Sequence, residues 1–114
     1  MPPVVPNQED GLRPAVSVHL RICIEPGRAD ELRSFLREAI PFYESPGGIH
    51  VRLLADVGAP DRFIEVIDYA SENAYLRDEE RVKSDATMAQ YLARWHALLA
   101  EPPIVEVYRD IDTT

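Results

Sequence analysis

The sequence predicts an α+β domain with the element order β-α-β-β-α-β. Three observations carry that expectation. Residues 48–69 read as two strands joined by a turn, a helical pattern lies on each side of them, and a further strand-like run lies outside each helix.

The central pair is Ile49–Leu54 and Arg62–Tyr69. The loop between them, Asp56-Val57-Gly58-Ala59-Pro60-Asp61, supplies the Gly, Pro and Asp that punctuate a hairpin. Upstream, Val16–Ile24 alternates strictly. Val16, Val18, Leu20, Ile22 and Ile24 fall on one face, and Ser17, His19, Arg21 and Cys23 on the other. A period of two is that of a strand with one apolar side. Glu25-Pro26-Gly27 ends it.

Arg28–Ile40 then places Leu32, Phe35, Leu36, Ala39 and Ile40 at helical spacing. Asp30 and Glu31 sit in the first turn, where the helix dipole favours them. Pro41 lacks the N–H that would bond the carbonyl of Arg37, so a kink or stop is expected there. Ser71 is the expected N-cap of a second helical region, which should break near Ser84-Asp85 and restart from one of those residues. After the break, Met88, Tyr91, Leu92, Trp95, Leu98 and Leu99 repeat at helical spacing as far as Ala100, before Pro102-Pro103. Ile104–Ile111 is the last strand, with Val105 and Val107 alternating against Glu106 and Tyr108.

Two βαβ-like halves joined by a hairpin make a ferredoxin-like antiparallel sheet with its helices on one face. Right-handed crossovers put the strands in the order fourth, first, third, second. The bare face then carries His19, Arg21, His50, Arg52, Glu106 and Tyr108, together with Leu54 and Ile104. The third strand admits two facings. Either Ile64 and Val66 meet the helices, or Phe63, Glu65, Ile67 and Tyr69 do. Charge favours the first, because Glu65 would then lie between the basic residues of neighbouring strands. A mixed face of this kind is self-complementary about a two-fold axis, so a homodimer through the polar sheet face is expected.

With 114 residues the chain is the size of one domain. Residues 1–14 hold four of the ten prolines and read as a mobile arm, with a single domain over 15–114. A net charge of −8 with scattered basic residues argues against nucleic acid and anionic membrane as partners. Cys23 is the one cysteine, which excludes a disulfide framework. No apolar run approaches ~20 residues and no leader pattern precedes the domain, so a cytoplasmic protein is expected.

The order and texture of Val16–Ile111 resemble the dimeric α/β-barrel superfamily, and within it the small proteins of the antibiotic-biosynthesis monooxygenase type. The resemblance rests on the strand ending Glu25-Pro26-Gly27, the approach Pro46-Gly47-Gly48-Ile49, the junction Glu65-Val66-Ile67-Asp68-Tyr69-Ala70-Ser71-Glu72-Asn73-Ala74-Tyr75, and the run Leu98-Leu99-Ala100-Glu101-Pro102-Pro103. It implies a homodimer and a pocket in each subunit between sheet and helices. Two departures stand out. The family often has Trp at the end of the third strand and His about nine residues later, where this chain has Tyr69 and Asp78.

Several residues are candidates for chemistry. His96, beside Trp95, could act as a base near neutral pH or simply sit at the edge of the core. Tyr69, Tyr75 and Tyr91, with Trp95, could line a pocket for a small aromatic ligand or mark the core boundary. Glu65 is a raised-pKa base if it points at the helices, and a structural partner of Arg21 or Arg52 if it points away. No His, Cys or carboxylate spacing suggests a metal site, and no glycine-rich loop suggests a nucleotide, so no cofactor is expected. Two functions remain open: a non-catalytic dimer with a ligand pocket, and a cofactor-independent monooxygenase acting on a polyphenol or polyketide-like substrate.

Overall fold

The structure is a computed structural model that describes residues 13–114. The expected arm lies outside the described residues, save for Arg13 and Pro14. The elements are β1 (Val16–Cys23), α1 (Ala29–Glu44), β2 (Ile49–Ala55), β3 (Arg62–Tyr69), α2 (Glu72–Ser84), α3 (Ala86–His96) and β4 (Ile104–Arg109). The four strands form one antiparallel sheet in the order β2-β3-β1-β4. This is the ferredoxin-like α+β fold, with all three helices on one face. Among the described residues no helix is long and apolar enough to cross a membrane.

The helix boundaries follow local chemistry. The Ser71 hydroxyl accepts from the Ala74 N–H and starts α2, and the Asp85 carboxylate accepts from the Met88 N–H and starts α3. Each cap contributes about 1 kcal/mol. Two expected boundaries differ. Helix α1 continues through Pro41 to Glu44. Its last turn is held from outside, because Phe42 and Tyr43 pack inward and the Arg81 guanidinium donates to both their carbonyls, at 3.0 and 2.6 Å. Helix α3 stops at His96, short of Ala100. The Glu25 N–H donates to the Leu98 carbonyl and the Ala100 N–H to the Cys23 carbonyl, which draws that segment onto the end of β1.

Register settles the facing of β3, against the charge argument. Ile22, Leu20, Val18 and Val16 pair with Phe63, Glu65, Ile67 and Tyr69. On the other side Leu53 pairs with Glu65 and Val51 with Ile67. Directly paired residues share a face, so Glu65 points at the helices, while Ile64 and Val66 lie on the opposite face. Arg21 instead pairs with Glu106, 3.0 Å away across β1 and β4. Val66 is 2% exposed, so the middle of β3 is buried on both sides.

The core lies between sheet and helices. Leu32, Phe35, Leu36, Ala39 and Tyr43 bring the apolar stripe of α1 to it, and Met88 and Trp95 that of α3. Helix α1 is tied to α3 by Arg94, which donates to both carboxylate oxygens of Glu38 and lies over the rings of Phe35 and Tyr91.

Candidate functional site

The helices cover β2, β3 and most of β1 but leave β4 bare. Val105 and Val107 face the helix side, yet they are 58% and 50% exposed. Beneath that uncovered edge a cavity of about 340 Å³ runs between the sheet and helices α2 and α3. Val18, Leu20, Val51 and Ile67 form its floor, and Met88, Leu92 and Trp95 its roof. A second cavity of about 330 Å³ opens at the far end of the sheet beside Arg21, Arg62 and Glu101, which are exposed, and none of the buried acids lines it.

Glu65 is the unusual wall residue. It is 3% exposed, on a stretch of wall whose neighbours in the sheet, Leu20, Leu53 and Ile67, are apolar. Burial pushes its carboxyl up to about 7. The indole N–H of Trp95 pulls it down in part, although the two groups fall outside hydrogen-bonding geometry. Among the described residues neither Glu65 Oε1 nor Trp95 Nε1 has a hydrogen-bond partner. Glu65 also holds the neighbouring Tyr43 in its neutral form, second to burial, since a phenolate there would face a carboxylate.

The other polar wall is a network at the end of β3. The Tyr69 hydroxyl donates to Asp78 Oδ2 at 2.5 Å, and Arg81 Nε donates to Asp78 Oδ1 at 3.0 Å. Arg81 also stacks over the Phe42 ring, 4.9 Å from its centroid. Asp78 is only 8% exposed, and the Tyr69 hydroxyl and the Arg81 guanidinium are its hydrogen-bond donors. Burial, then the bond to Asp78, raises the Tyr69 pKa far above that of a free phenol. Tyr69 therefore keeps its proton and offers the cavity only an acceptor. Tyr75 packs edge-on against Tyr69, with centroids 5.3 Å apart.

Of the residues singled out in the sequence, Glu65, Tyr69, Tyr75, Trp95 and His96 line this one cavity. Tyr91 does not. Its ring sits among Phe35, Phe42 and Tyr43, between α1 and α3. His96 is exposed at the rim, and its Nδ1 lies 2.8 Å from the Leu92 carbonyl. A carbonyl only accepts, so Nδ1 carries a proton and the neutral ring keeps its lone pair on Nε2. Sequence reasoning missed Asp78 and Arg81 as a buried pair. The signal was present as a carboxylate and a guanidinium three residues apart on one helix, at contact distance. Among the described residues no group of three His, Cys, Asp or Glu side chains is arranged to hold a metal ion.

No protein-family model matches the chain, and no curated protein matches it with significance. Solved structures do. A provisionally assigned antibiotic biosynthesis monooxygenase from Bordetella bronchiseptica superposes with a TM-score of 0.71 at 23% identity, covering 87% of this chain and 99% of that one. A variant of SnoaB, a cofactor-independent oxygenase from Streptomyces nogalater, gives 0.70 at 14% identity, covering 86% and 94%. A further provisional antibiotic biosynthesis monooxygenase, from Deinococcus radiodurans, gives 0.68 at 14% identity, covering 87% and 95%. The chain thus shares the ferredoxin-like fold of structures grouped as antibiotic biosynthesis monooxygenases.

Proposed function

We propose that this protein is a homodimeric, cofactor-independent oxygenase acting on a small, largely apolar aromatic substrate. The observation that carries the reading is Glu65, a buried carboxyl that titrates near neutrality in the wall of an apolar cavity large enough for such a molecule. The likeness to SnoaB supports the reaction class.

In this reading Glu65 is the base. It takes a proton from a methylene carbon activated by flanking aromatic rings. The resulting anion passes electrons to dioxygen and binds it, Glu65 returns the proton to the peroxide, and loss of water leaves a ketone. The step balances: one methylene and one dioxygen give one ketone carbonyl and one water, with the carbon oxidised and both oxygen atoms reduced. The cavity wall orients the rings and keeps water from the anion. A plainer reading, in which the cavity holds a ligand without turning it over, is favoured by His96. It sits at the solvent-exposed rim with one ring nitrogen committed to the Leu92 carbonyl.

The bare sheet face supports the dimer. Leu54, Ile104 and Tyr108 are exposed there among charges of both signs. Oxygen uptake with a panel of hydroxyanthrones tests the catalytic reading. The wild-type chain is expected to consume oxygen, and Glu65→Gln to lose at least ~100-fold in rate, the usual contribution of a general base. His96→Ala should retain most of the rate. No uptake by the wild-type chain, or an unchanged rate in a folded Glu65→Gln variant, would overturn the oxygenase reading.

A further inference from the structure

Glu65 and Trp95 share one oddity. Each places a polar atom in a buried position, and among the described residues neither atom is hydrogen-bonded. More than nine in ten buried polar groups in native proteins are paired, and an unmade bond costs about 1–3 kcal/mol. The two reside on different elements, β3 and α3, and both line the same cavity. They are also close enough for the indole N–H to favour the carboxylate over the acid. One is a donor only, and the other, when ionised, an acceptor only. The lining also holds Tyr43, Asp78, Glu79, Lys83 and His96, yet none of these makes a hydrogen bond to Glu65 Oε1 or Trp95 Nε1, and the Tyr69 proton is already committed to Asp78.

A single ligand group satisfies both atoms at once: a hydroxyl, which donates one hydrogen bond and accepts another. An ether or a ketone leaves the carboxylate unpaired, and an ammonium leaves the indole unpaired. We propose that Glu65 and Trp95 form a recognition pair for a phenolic or enolic hydroxyl, whose O–H donates to Glu65 and whose oxygen accepts from the Trp95 indole N–H.

This rests on the cavity being the ligand site and narrows what it takes. The step it supports is a simple proton transfer. The ligand O–H bond breaks, an O–H bond forms on Glu65, and the electron pair stays on the ligand oxygen. Trp95 Nε1–H then points at an oxyanion. An enol that loses this proton gives the same delocalised anion as its keto tautomer losing the carbon-bound proton. In this enol route Glu65 takes the oxygen-bound proton in place of the carbon-bound one, and the pair holds the oxygen end of the same anion before it meets dioxygen. Trp95 is accordingly a catalytic residue as well as part of the wall.

The test is titration calorimetry near pH 8, where Glu65 is ionised, with 2-naphthol and its methyl ether, neither of which needs to react. The wild-type chain should bind 2-naphthol at least ~10-fold more tightly than the ether, the value of one well-made buried hydrogen bond. Glu65→Met conserves volume and removes the acceptor, and Trp95→Phe removes the donor. Glu65→Met should bring the ratio down to within about two- to threefold, whereas Trp95→Phe should weaken both compounds by about 10-fold and leave their ratio near the wild-type value. A circular dichroism melt confirms that each is folded, and Glu65→Met carries the test should Trp95→Phe unfold. Equal binding of the two compounds by the wild-type chain, or a ratio that survives Glu65→Met, overturns the pair and leaves the cavity reading standing. Failure of both compounds to bind overturns the cavity reading and the pair with it. A hydroxyl preference without oxygen uptake supports the pair and removes only the oxygenase.

Discussion

Glu65 makes a prediction about stability that needs no substrate. Its carboxyl titrates near 7 in the folded chain, against an ordinary value of 4.5. Folding therefore raises its proton affinity. The native state still holds the proton where the unfolded chain has released it, so unfolding in that window releases a proton. Stability must then fall as pH rises from about 4.5 to about 7, and level off above. At about 1.4 kcal/mol for each pH unit of displacement, the full loss is about 3 kcal/mol. Glu65→Gln keeps shape and burial but cannot ionise. The comparison to make is urea unfolding of wild type and variant near pH 5 and near pH 8. Near pH 5 about a quarter of the loss has already occurred, so the variant should gain about 2–3 kcal/mol on the wild type between the two conditions. Any constant effect of the amide cancels in that difference. With slopes of about 1–3 kcal/mol per molar urea, the relative midpoint shift is roughly 1–2 M. Parallel pH profiles for the two proteins would refute the claim that Glu65 is a desolvated carboxyl. A larger gain for wild type at high pH would mean the carboxylate is paired in the native state.

Two further outcomes follow from other parts of the molecule. Arg81→Ala leaves Asp78 buried with only the Tyr69 hydroxyl, and frees the last carbonyls of α1. It should cost about 3–5 kcal/mol in denaturant unfolding, and a loss under ~1 kcal/mol would show that the network is decorative. The oligomeric state is checked by sedimentation at micromolar concentration, where twice the chain mass of 12.9 kDa is expected. Ile104→Glu, at an exposed position on the bare face, should return the monomer, and a wild-type monomer would rule out the dimer.

The fold was legible because most strands have one apolar side. In β1 alternation alone identifies the inner face, and the caps at Ser71 and Asp85 mark the helix starts. β3 was not legible from its own residues. Phe63 and Ile67 make one row apolar, and Ile64 and Val66 make the other, so alternation cannot choose between them. Charge pointed the wrong way, since Glu65 would complement Arg21 and Arg52. The information that does decide lies in the hairpin. Ala55 pairs with Phe63, which sets odd-numbered residues of β2 against odd-numbered residues of β3. A slip of one residue would have reversed every side chain. No propensity in the loop Asp56–Asp61 fixes that parity. The site suffered from the same gap. Tyr69 and Asp78 stand in the sequence as departures from a family pattern, but their bond depends on how α2 leaves the sheet. Likewise, Tyr91 continues the stripe of Trp95 in sequence, yet its ring packs against Phe35, Phe42 and Tyr43 of α1.

One consequence of the cavity wall is practical. The chain contains a single tryptophan, and it is the one beside Glu65. Ultraviolet emission from this protein is therefore a report from one spot. A carboxylate forming next to the indole, or a guest molecule stacking on it, changes that light directly, with no label to attach and no second fluorophore of its kind to subtract.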